Sequence, residues 1–269
     1  AKEYVGNWPG VTVEKKEGKI KTVPHGKGEC PDGCLCTHGH EMTLVDLPGI
    51  YSLSPYSMEE VIARNFIIDE HPDAIINIVD GTNLERNLYL TVQLLELERP
   101  MIIALNMMDE VEKRGDVIDC KALSLALGIP VIPISARTGQ GVVELIASAQ
   151  RLISAVHTQL HEGFHIEPDD VYDDVTHLAH HRIGELISGY AEKANLPVHW
   201  AEIKLLEGDE LVKNSLKLPD DIQKKVDQII KQYACMSLFM DNESMVADSR
   251  YRYISNVVDS ALKRAASSK

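Results

Sequence analysis

The sequence has few of the features that mark membrane-spanning, nucleic-acid-binding or disulfide-stabilised proteins. In its 269 residues no apolar run approaches the ~18 residues of a membrane span, and residues 1–4 do not begin a signal peptide. Basic side chains are scarce, with 27 Lys and Arg against 41 Asp and Glu, which gives a formal net charge of −14. This charge disfavours nucleic acid and anionic lipid as partners. Five cysteines do not suit a disulfide framework. We expect a soluble, acidic protein of a reducing compartment such as the cytoplasm.

The sequence contains two regions that differ in their pattern of apolar residues. Residues 1–156 alternate short apolar runs with helical patterns, which is typical of a mostly parallel sheet flanked by helices, the α/β class. The predicted strands cover 42–45, 74–79, 101–105 and 131–134, and the predicted helices cover 58–68, 84–97, 120–127 and 142–156. Residues 157–169 are polar and predict a linker. Residues 170–269 show helical periodicity without a strand-like run, which predicts a small all-α bundle.

The loops that follow the predicted strands are the candidate site, because open α/β sheets bind ligands at the carboxyl ends of their strands. Asp46-Leu47-Pro48-Gly49 follows the first of them. The Asp46 carboxylate could hold a hydrated Mg²⁺, and the Gly49 amide could contact a terminal phosphate. Taken alone, however, this motif favours an ordinary turn, since Asp, Pro and Gly are all turn formers.

A second loop, Asn106-Met107-Met108-Asp109, offers the chemistry of base recognition. The Asp109 carboxylate could accept hydrogen bonds from N1–H and the exocyclic amine of guanine, and Asn106 could tie the loop to its neighbours. Adenine does not offer that pair of donors, so a site built for them would discriminate between the two bases. Taken alone, the motif is better explained as a strand-to-helix cap.

A third loop, Ser135-Ala136-Arg137, follows the last predicted strand. Its backbone amides could meet the carbonyl oxygen of a base, or the loop could simply cap the next helix. The order and spacing of the three loops are more informative than any one of them. They follow successive strands at the distances found in a GTPase domain, which independent turns would seldom reproduce.

Longer segments of the sequence also resemble one family of GTPase proteins. The sequence resembles the cytoplasmic region of ferrous iron transport protein B, a bacterial G protein fused to a membrane transporter. The segments that carry the resemblance are 5–18, 45–53, 83–90, 200–209 and 246–251. It implies a Ras-like GTPase domain at 1–156 and a helical spacer domain at 170–269, on the cytoplasmic side of the bacterial inner membrane.

The resemblance also implies roles for individual residues. Thr12 would ligate Mg²⁺ when the γ-phosphate is present, Asp46 would bind Mg²⁺ through water, and Gly49 would contact the γ-phosphate. Backbone carbonyls of Gly6 and Trp8 would lie near K⁺. The residues expected to bind the guanine of GTP or GDP are Asn106, Met107, Asp109, Ser135, Ala136 and Arg137.

The implied activity is slow GTP hydrolysis, because no obvious catalytic base follows Asp46. In the family this activity regulates ferrous iron transport by a transmembrane part of the same polypeptide, and assembly into a homo-oligomer is left open. One element of such a domain is missing from the sequence, which contains no Gly-x-x-x-x-Gly-Lys-Ser/Thr phosphate loop. We therefore expect weak nucleotide binding by this chain, and a sheet that lacks its first strand and has exposed edges.

An insertion between residues 30 and 40 supports an alternative function. It holds Cys30, Cys34, Cys36, His38 and His40, which are enough soft ligands for Zn²⁺ or Fe²⁺. The region could then be a metal- or redox-responsive module on a G-domain scaffold. Its spacing is not a standard zinc pattern, however, and a flexible, solvated loop is the simpler interpretation.

A second group of potential ligands lies in the helical region. His177, His180 and His181 are spaced to share one face of a helix. Such a face could bind a metal ion, but we expect a solvated helix surface.

Overall fold

The computed structural model describes residues 2–8, 14–20, 42–54, 57–157, 171–236 and 240–265. The first region contains β1 (Lys2–Asn7), β2 (Glu14–Ile20), β3 (Met42–Asp46), α1 (Met58–Asp69), β4 (Ile75–Asp80), α2 (Leu84–Leu95), β5 (Met101–Asn106), α3 (Met108–Arg114), β6 (Val117–Ile118), α4 (Cys120–Leu127), β7 (Val131–Pro133) and α5 (Val142–His157). The helical region contains α6 (Asp174–Lys193), α7 (Val198–Leu206), α8 (Glu210–Leu216), α9 (Asp220–Ala234), α10 (Asn242–Ala261) and a short strand, β8 (Leu262–Lys263). Every strand and helix predicted in the first region is confirmed to within two residues at each end.

The centre of the first region is a parallel sheet in the order β4-β5-β7. Met101 to Leu105 of β5 are completely buried, as expected for an apolar strand covered by helices on both faces. Helix α2 packs against this sheet through Leu84, Leu88, Val92 and Leu95, which recur at helical spacing and are all buried.

A separate antiparallel sheet in the order β1-β2-β3 precedes it. The sequence predicted β3 but not β1 and β2, whose composition is dominated by charged and small residues and gives little apolar alternation. In the register of this sheet Gly6 lies opposite Lys15, and Lys16 lies opposite Asp46. The register fixes Asp46 at the end of β3, where the loop to α1 begins.

The two sheets are not joined to each other by the strands that the structure describes. Strand β3 pairs with β2 alone and β4 pairs with β5 alone among these residues. Two apolar side chains on these edge strands are exposed, Leu44 at 44% and Ile78 at 66%. Among the described residues, both strands thus present an unpaired edge that carries an exposed apolar side chain.

The helical region is predominantly α-helical, as predicted, and packs against the first region. Helix α6 lies against α7 and α9, and α10 lies against α2 and α4. The expectation of no strand after residue 170 is wrong, because β8 pairs with β6 and extends α10 into a small antiparallel sheet. Across the parts of the chain described, no helix combines the length and apolar character needed to span a bilayer.

Candidate functional site

The second and third candidate loops meet at the carboxyl edge of the parallel sheet. Strands β5 and β7 are paired neighbours, so the loops that follow them leave the sheet side by side. The Asn106 side-chain oxygen accepts a hydrogen bond of 2.9 Å from the backbone amide of Ala136. Asn106 therefore ties the two loops together, as its position in the sequence suggested.

Asp109 is placed by a sharp change of backbone direction after Asn106. Met107 adopts a left-handed conformation (φ 64°) and caps α3, which puts Asp109 in the first turn of that helix. Arg137 of the third loop donates to Asp109 Oδ2 from both Nε, at 3.1 Å, and Nη2. Hydrogen bonds from Arg137 and then Ser135 lower the pKa of Asp109, so the carboxylate is a charged hydrogen-bond acceptor at neutral pH.

The third loop is held in a tight, defined turn. The Ser135 amide donates to the carbonyl of Gln140, and the Gly139 amide donates back to the Ser135 carbonyl. Gly141 closes the turn with φ 76°, and a Cβ there would lie 2.2 Å from the Pro133 carbonyl oxygen. Only glycine fits this position without displacing the strand that carries the loop.

The first loop lies at the end of the other sheet. Asp46 and Gly49 are both exposed, and a Cβ on Gly49 would meet no atom within 4 Å. Because β3 and β5 belong to different sheets, the structure does not join this loop to the Asn106 loop by strand pairing.

The other residues given roles by the resemblance are placed as follows. Gly6 lies within β1, and Trp8, just after it, is buried with its ring edge-on to Phe66 at a centroid distance of 5.4 Å. Thr12 lies outside the described residues. So do the insertion residues Cys30, Cys34, Cys36, His38 and His40.

Beyond Gly49 the first loop is fastened to both regions of the protein. The amide of Leu53 and the hydroxyl of Ser52 both donate to the Gln93 side-chain oxygen of α2, at 2.6 and 3.2 Å. The hydroxyl of Ser54 accepts a hydrogen bond of 3.1 Å from the ammonium group of Lys204, on α7. The loop thus contacts the helical region directly.

Lys204 belongs to a buried ionic network that sequence reasoning missed. Its ammonium donates to Glu207 at 2.6 Å, and the other oxygen of Glu207 accepts from Arg250. Arg250 also makes a bidentate pair with Glu96, just after α2, at 2.8 and 2.9 Å. The Tyr172 hydroxyl donates to Glu96 as well. The network therefore links the first loop to the C-terminal end of α2 through the helical region.

Within this network, Glu207 stays ionised although it is buried. Burial by itself would raise the pKa of Glu207, but the charges of Arg250 and Lys204 outweigh it and lower that pKa to about 2. A second buried pair joins the two regions nearby, where Arg64 of α1 donates to Asp209 at 2.7 Å. Sequence spacing gives no sign of either pair, since the partners lie more than 100 residues apart.

Comparison with known proteins gives the family. A profile of ferrous iron transport protein B matches residues 1–149, and a profile of the FeoB cytosolic helical domain matches residues 172–263. The Fe(2+) transport protein A/Fe(2+) transporter FeoB fusion protein of Porphyromonas gingivalis is 38% identical over 96% of this chain and 29% of its own length. The Fe(2+) transporter FeoB of Salmonella choleraesuis is 37% identical over 96% of the chain and 30% of its own length. The chain thus spans about a third of these relatives.

Solved structures agree with the sequence comparison. A GDP-bound mutant of the S. thermophilus FeoB G-domain superposes with a TM-score of 0.81 at 36% identity, covering 97% of this chain and 90% of that one. The cytosolic domain of the T. maritima FeoB iron transporter in its GMPPNP form gives 0.72 at 29% identity, over 97% and 90% of the two chains. These likenesses confirm the predicted Ras-like fold and the helical region that follows it. The chain belongs to the ferrous iron transport protein B family.

Proposed function

We propose that this chain is the guanine-nucleotide-binding part of a bacterial ferrous iron transporter. The complete protein would bind GTP, hydrolyse it slowly and couple its nucleotide state to transport, whereas this chain alone would bind nucleotide weakly and have little or no hydrolytic activity. The observation that carries the proposal is the hydrogen bond between Asn106 and the Ala136 amide, at the sheet edge where G domains hold a base. The GDP and GMPPNP named for the solved relatives support a guanine nucleotide as the ligand.

Guanine selectivity follows from the chemistry of Asp109. Both hydrogen bonds from Arg137 go to Oδ2, and Oδ1 takes none from that side chain. A carboxylate has room for more acceptor bonds than Arg137 uses, and N1–H and the exocyclic amine of guanine present two donors side by side. The amides of the Ala136 turn are the natural donors for the guanine carbonyl oxygen. Adenine, which has neither donor in that arrangement, would leave the Asp109 carboxylate unpaired against the base.

The first loop, together with residues of the N-terminal segment, would bind the phosphates and the cations. The exposed carboxylate of Asp46 fits a role as a ligand of hydrated Mg²⁺, and the open space around Gly49 fits close approach by a γ-phosphate. Thr12 would complete the Mg²⁺ site, and carbonyls of Gly6 and Trp8 would face K⁺. When bound, these cations neutralise charge on the phosphates. Without a phosphate-loop lysine in the sequence, affinity rests mainly on the base.

The coupling route that we propose runs from the first loop to the helical region. Ser54 lies five residues after Gly49 and accepts a hydrogen bond from Lys204, which holds Glu207 and through it Arg250. A change at Gly49 on γ-phosphate loss would shift Ser54 and remove one hydrogen-bond acceptor from the buried Lys204 ammonium, which stays paired with Glu207. Because a buried donor left without its acceptor is costly, the helical region would follow the loop. In the complete polypeptide this movement would reach a transmembrane part from the cytoplasmic side.

Nucleotide selectivity tests this proposal. Fluorescent GDP bound to the chain should be displaced by GDP and not by ATP. The Asp109→Asn variant should lose preference for GDP and gain it for XDP, because xanthine carries a carbonyl where guanine carries the amine and an amide can donate to it. Glu112→Gln, which neutralises an exposed carboxylate on the same helix, is the matched control and should bind like the original chain. Equal displacement by ATP, or no binding at millimolar nucleotide, would contradict the proposal.

A further inference from the structure

Four histidines of the helical region gather where α6 faces α7. His177, His180 and His181 come from α6, and His199 comes from the first turn of α7. The ring of His180 lies 5.0 Å from that of His177 and 4.8 Å from that of His199, measured between centroids. The expected solvated surface is wrong for His180, which is 1% exposed, whereas His181 is exposed.

A carboxylate completes this cluster. Oε2 of Glu202, one turn after His199 on α7, lies 2.9 Å from Nδ1 of His180 and 3.4 Å from Nδ1 of His199. One potential ligand atom from each of the three residues lies within 4.8 Å of the other two. With metal–ligand bonds of about 2.1 Å, the two separations from Oε2 correspond to ligand–metal–ligand angles of roughly 90° and 110°. The carboxylate is therefore spaced to share one first-row metal ion with either imidazole, and the two imidazole nitrogens lie close enough together for a small side-chain rotation to bring both onto that ion.

The backbone of α6 makes room for the Glu202 carboxylate. Gly184 lies one turn after His180, and a Cβ there would lie 1.9 Å from Oε1 of Glu202. Any other residue at this position would push the carboxylate away from the two imidazoles. A glycine inside a helix costs up to about 1 kcal/mol relative to alanine, so its presence here points to a need for that space.

We propose that His180, His199 and Glu202 bind a divalent transition metal ion such as Zn²⁺ or Fe²⁺ between α6 and α7. Two imidazoles and one carboxylate are a common ligand set for both ions, with water filling the remaining positions. The side chain of His199 is 14% exposed, which gives an ion access from solvent. The bound ion would clamp α7, the helix that also carries Lys204 of the ionic network.

The test must separate this site from the cysteine- and histidine-containing insertion at residues 30–40. We would replace Cys30, Cys34 and Cys36 by serine and measure Zn²⁺ and, without oxygen, Fe²⁺ binding to the metal-free chain by calorimetry. The expected result is one equivalent bound by the serine-substituted chain. In that background, His199→Ala and Glu202→Gln should each weaken metal binding by more than about 100-fold. Loss of a residue that only supports a ligand costs up to about 100-fold, so a larger loss indicates direct ligation.

His181→Ala is the matched control, because His181 is an exposed histidine on the same helix, and it should bind like the parent. Far-UV circular dichroism checks that each variant is folded. If the variants do not fold, X-ray absorption of the Zn²⁺-loaded, serine-substituted parent identifies the atoms that bind the metal. Two imidazoles with oxygen ligands are expected, and sulfur ligation would overturn the proposal. Unchanged binding in folded His199→Ala and Glu202→Gln, or no bound metal in the parent, would overturn it as well.

Discussion

The sheet edge that we propose recognises the base and the contact between the two regions are built in opposite ways. At the edge, Asp109 and Arg137 form an ion pair at the surface, and the hydrogen bond from the Ala136 amide to Asn106 ties the same two loops together. At the contact, Arg250 is fully buried and shares its guanidinium between Glu96 and Glu207. Surface pairs contribute little to stability, whereas losing one partner of a buried pair costs several kcal/mol. The residues proposed for recognition are thus separate from the interactions that hold the two regions together.

Breaking the buried contact should have the largest effect. Arg250→Ala leaves the Glu96 and Glu207 carboxylates buried without their shared cation, and we expect a loss of about 3–5 kcal/mol in the free energy of unfolding, measured with urea. The control is Arg252→Ala, two residues along α10, whose side chain is 57% exposed and pairs with Asp173 at the surface. That variant should lose no more than about 1 kcal/mol. Equal losses would mean that burial does not distinguish the two pairs.

The same contact should make stability sensitive to acid. Glu207 has its pKa lowered to about 2 from an ordinary value of 4.5, so its contribution is present above pH 4.5 and is lost as the pH falls toward 2. By linkage this amounts to about 3 kcal/mol. Unfolding free energies measured across this range should fall less steeply in Glu207→Gln. An equal slope in that variant would show that Glu207 is not held ionised by Arg250 and Lys204.

In the turn that follows β7, one position has no room for a side chain, and a comparison of two glycines tests this. Gly141→Ala adds a Cβ 2.2 Å from the Pro133 carbonyl oxygen, whereas a Cβ on Gly139, at nearly the same φ, meets nothing within 4 Å. We expect Gly139→Ala to lose about 1 kcal/mol for its left-handed backbone and Gly141→Ala at least about 1 kcal/mol more. Thermal melts of the two variants measure the difference. Equal melting temperatures would show that contact between a Cβ at position 141 and the Pro133 carbonyl oxygen does not destabilise the protein.

The smallest effect on stability should come from the bond to which we assign the main part in base recognition. Asn106→Ala removes the 2.9 Å bond to the Ala136 amide, and we expect only about 1 kcal/mol of destabilisation. Affinity for GDP should fall more than this, because the Ala136 turn is no longer held beside Asp109. Asn87→Ala, which removes a side-chain hydrogen bond at the start of α2, is the control and should leave GDP affinity unchanged. Equal GDP affinities in both variants would contradict the role given to Asn106.

Local pattern predicted most of the sheet region because its signals lie within a few residues of one another. The apolar run at 101–105, the helical spacing of α2 and the polar loops at 46–49, 106–109 and 135–137 are all of this kind. Strands β1 and β2 were missed because their mainly charged and small residues give little apolar alternation. The roles assigned to Thr12, Gly6 and Trp8 in holding cations, like the domain boundaries, stay predictions.

The buried contacts could not be predicted, because they depend on residues that are distant in the sequence. Glu96 and Arg250 are separated by 154 residues, and Glu202 meets His180 across a helix–helix contact. From the sequence, the three histidines of α6 looked like a solvated helix surface and showed neither His199 nor the space left by Gly184. Only the packing of α7 and α10 against the rest of the chain brings these groups together.

The most direct test of guanine recognition is nuclear magnetic resonance of the ¹⁵N-labelled chain during titration with GDP and, separately, ADP. This measurement detects weak binding and reports which amides respond. We predict that GDP shifts the backbone amides of Asp109 and Ala136 and the side-chain amide of Asn106, while ADP leaves all three unchanged. Equal shifts with ADP, or GDP-induced shifts confined to other parts of the chain, would contradict a guanine site at this edge of the sheet.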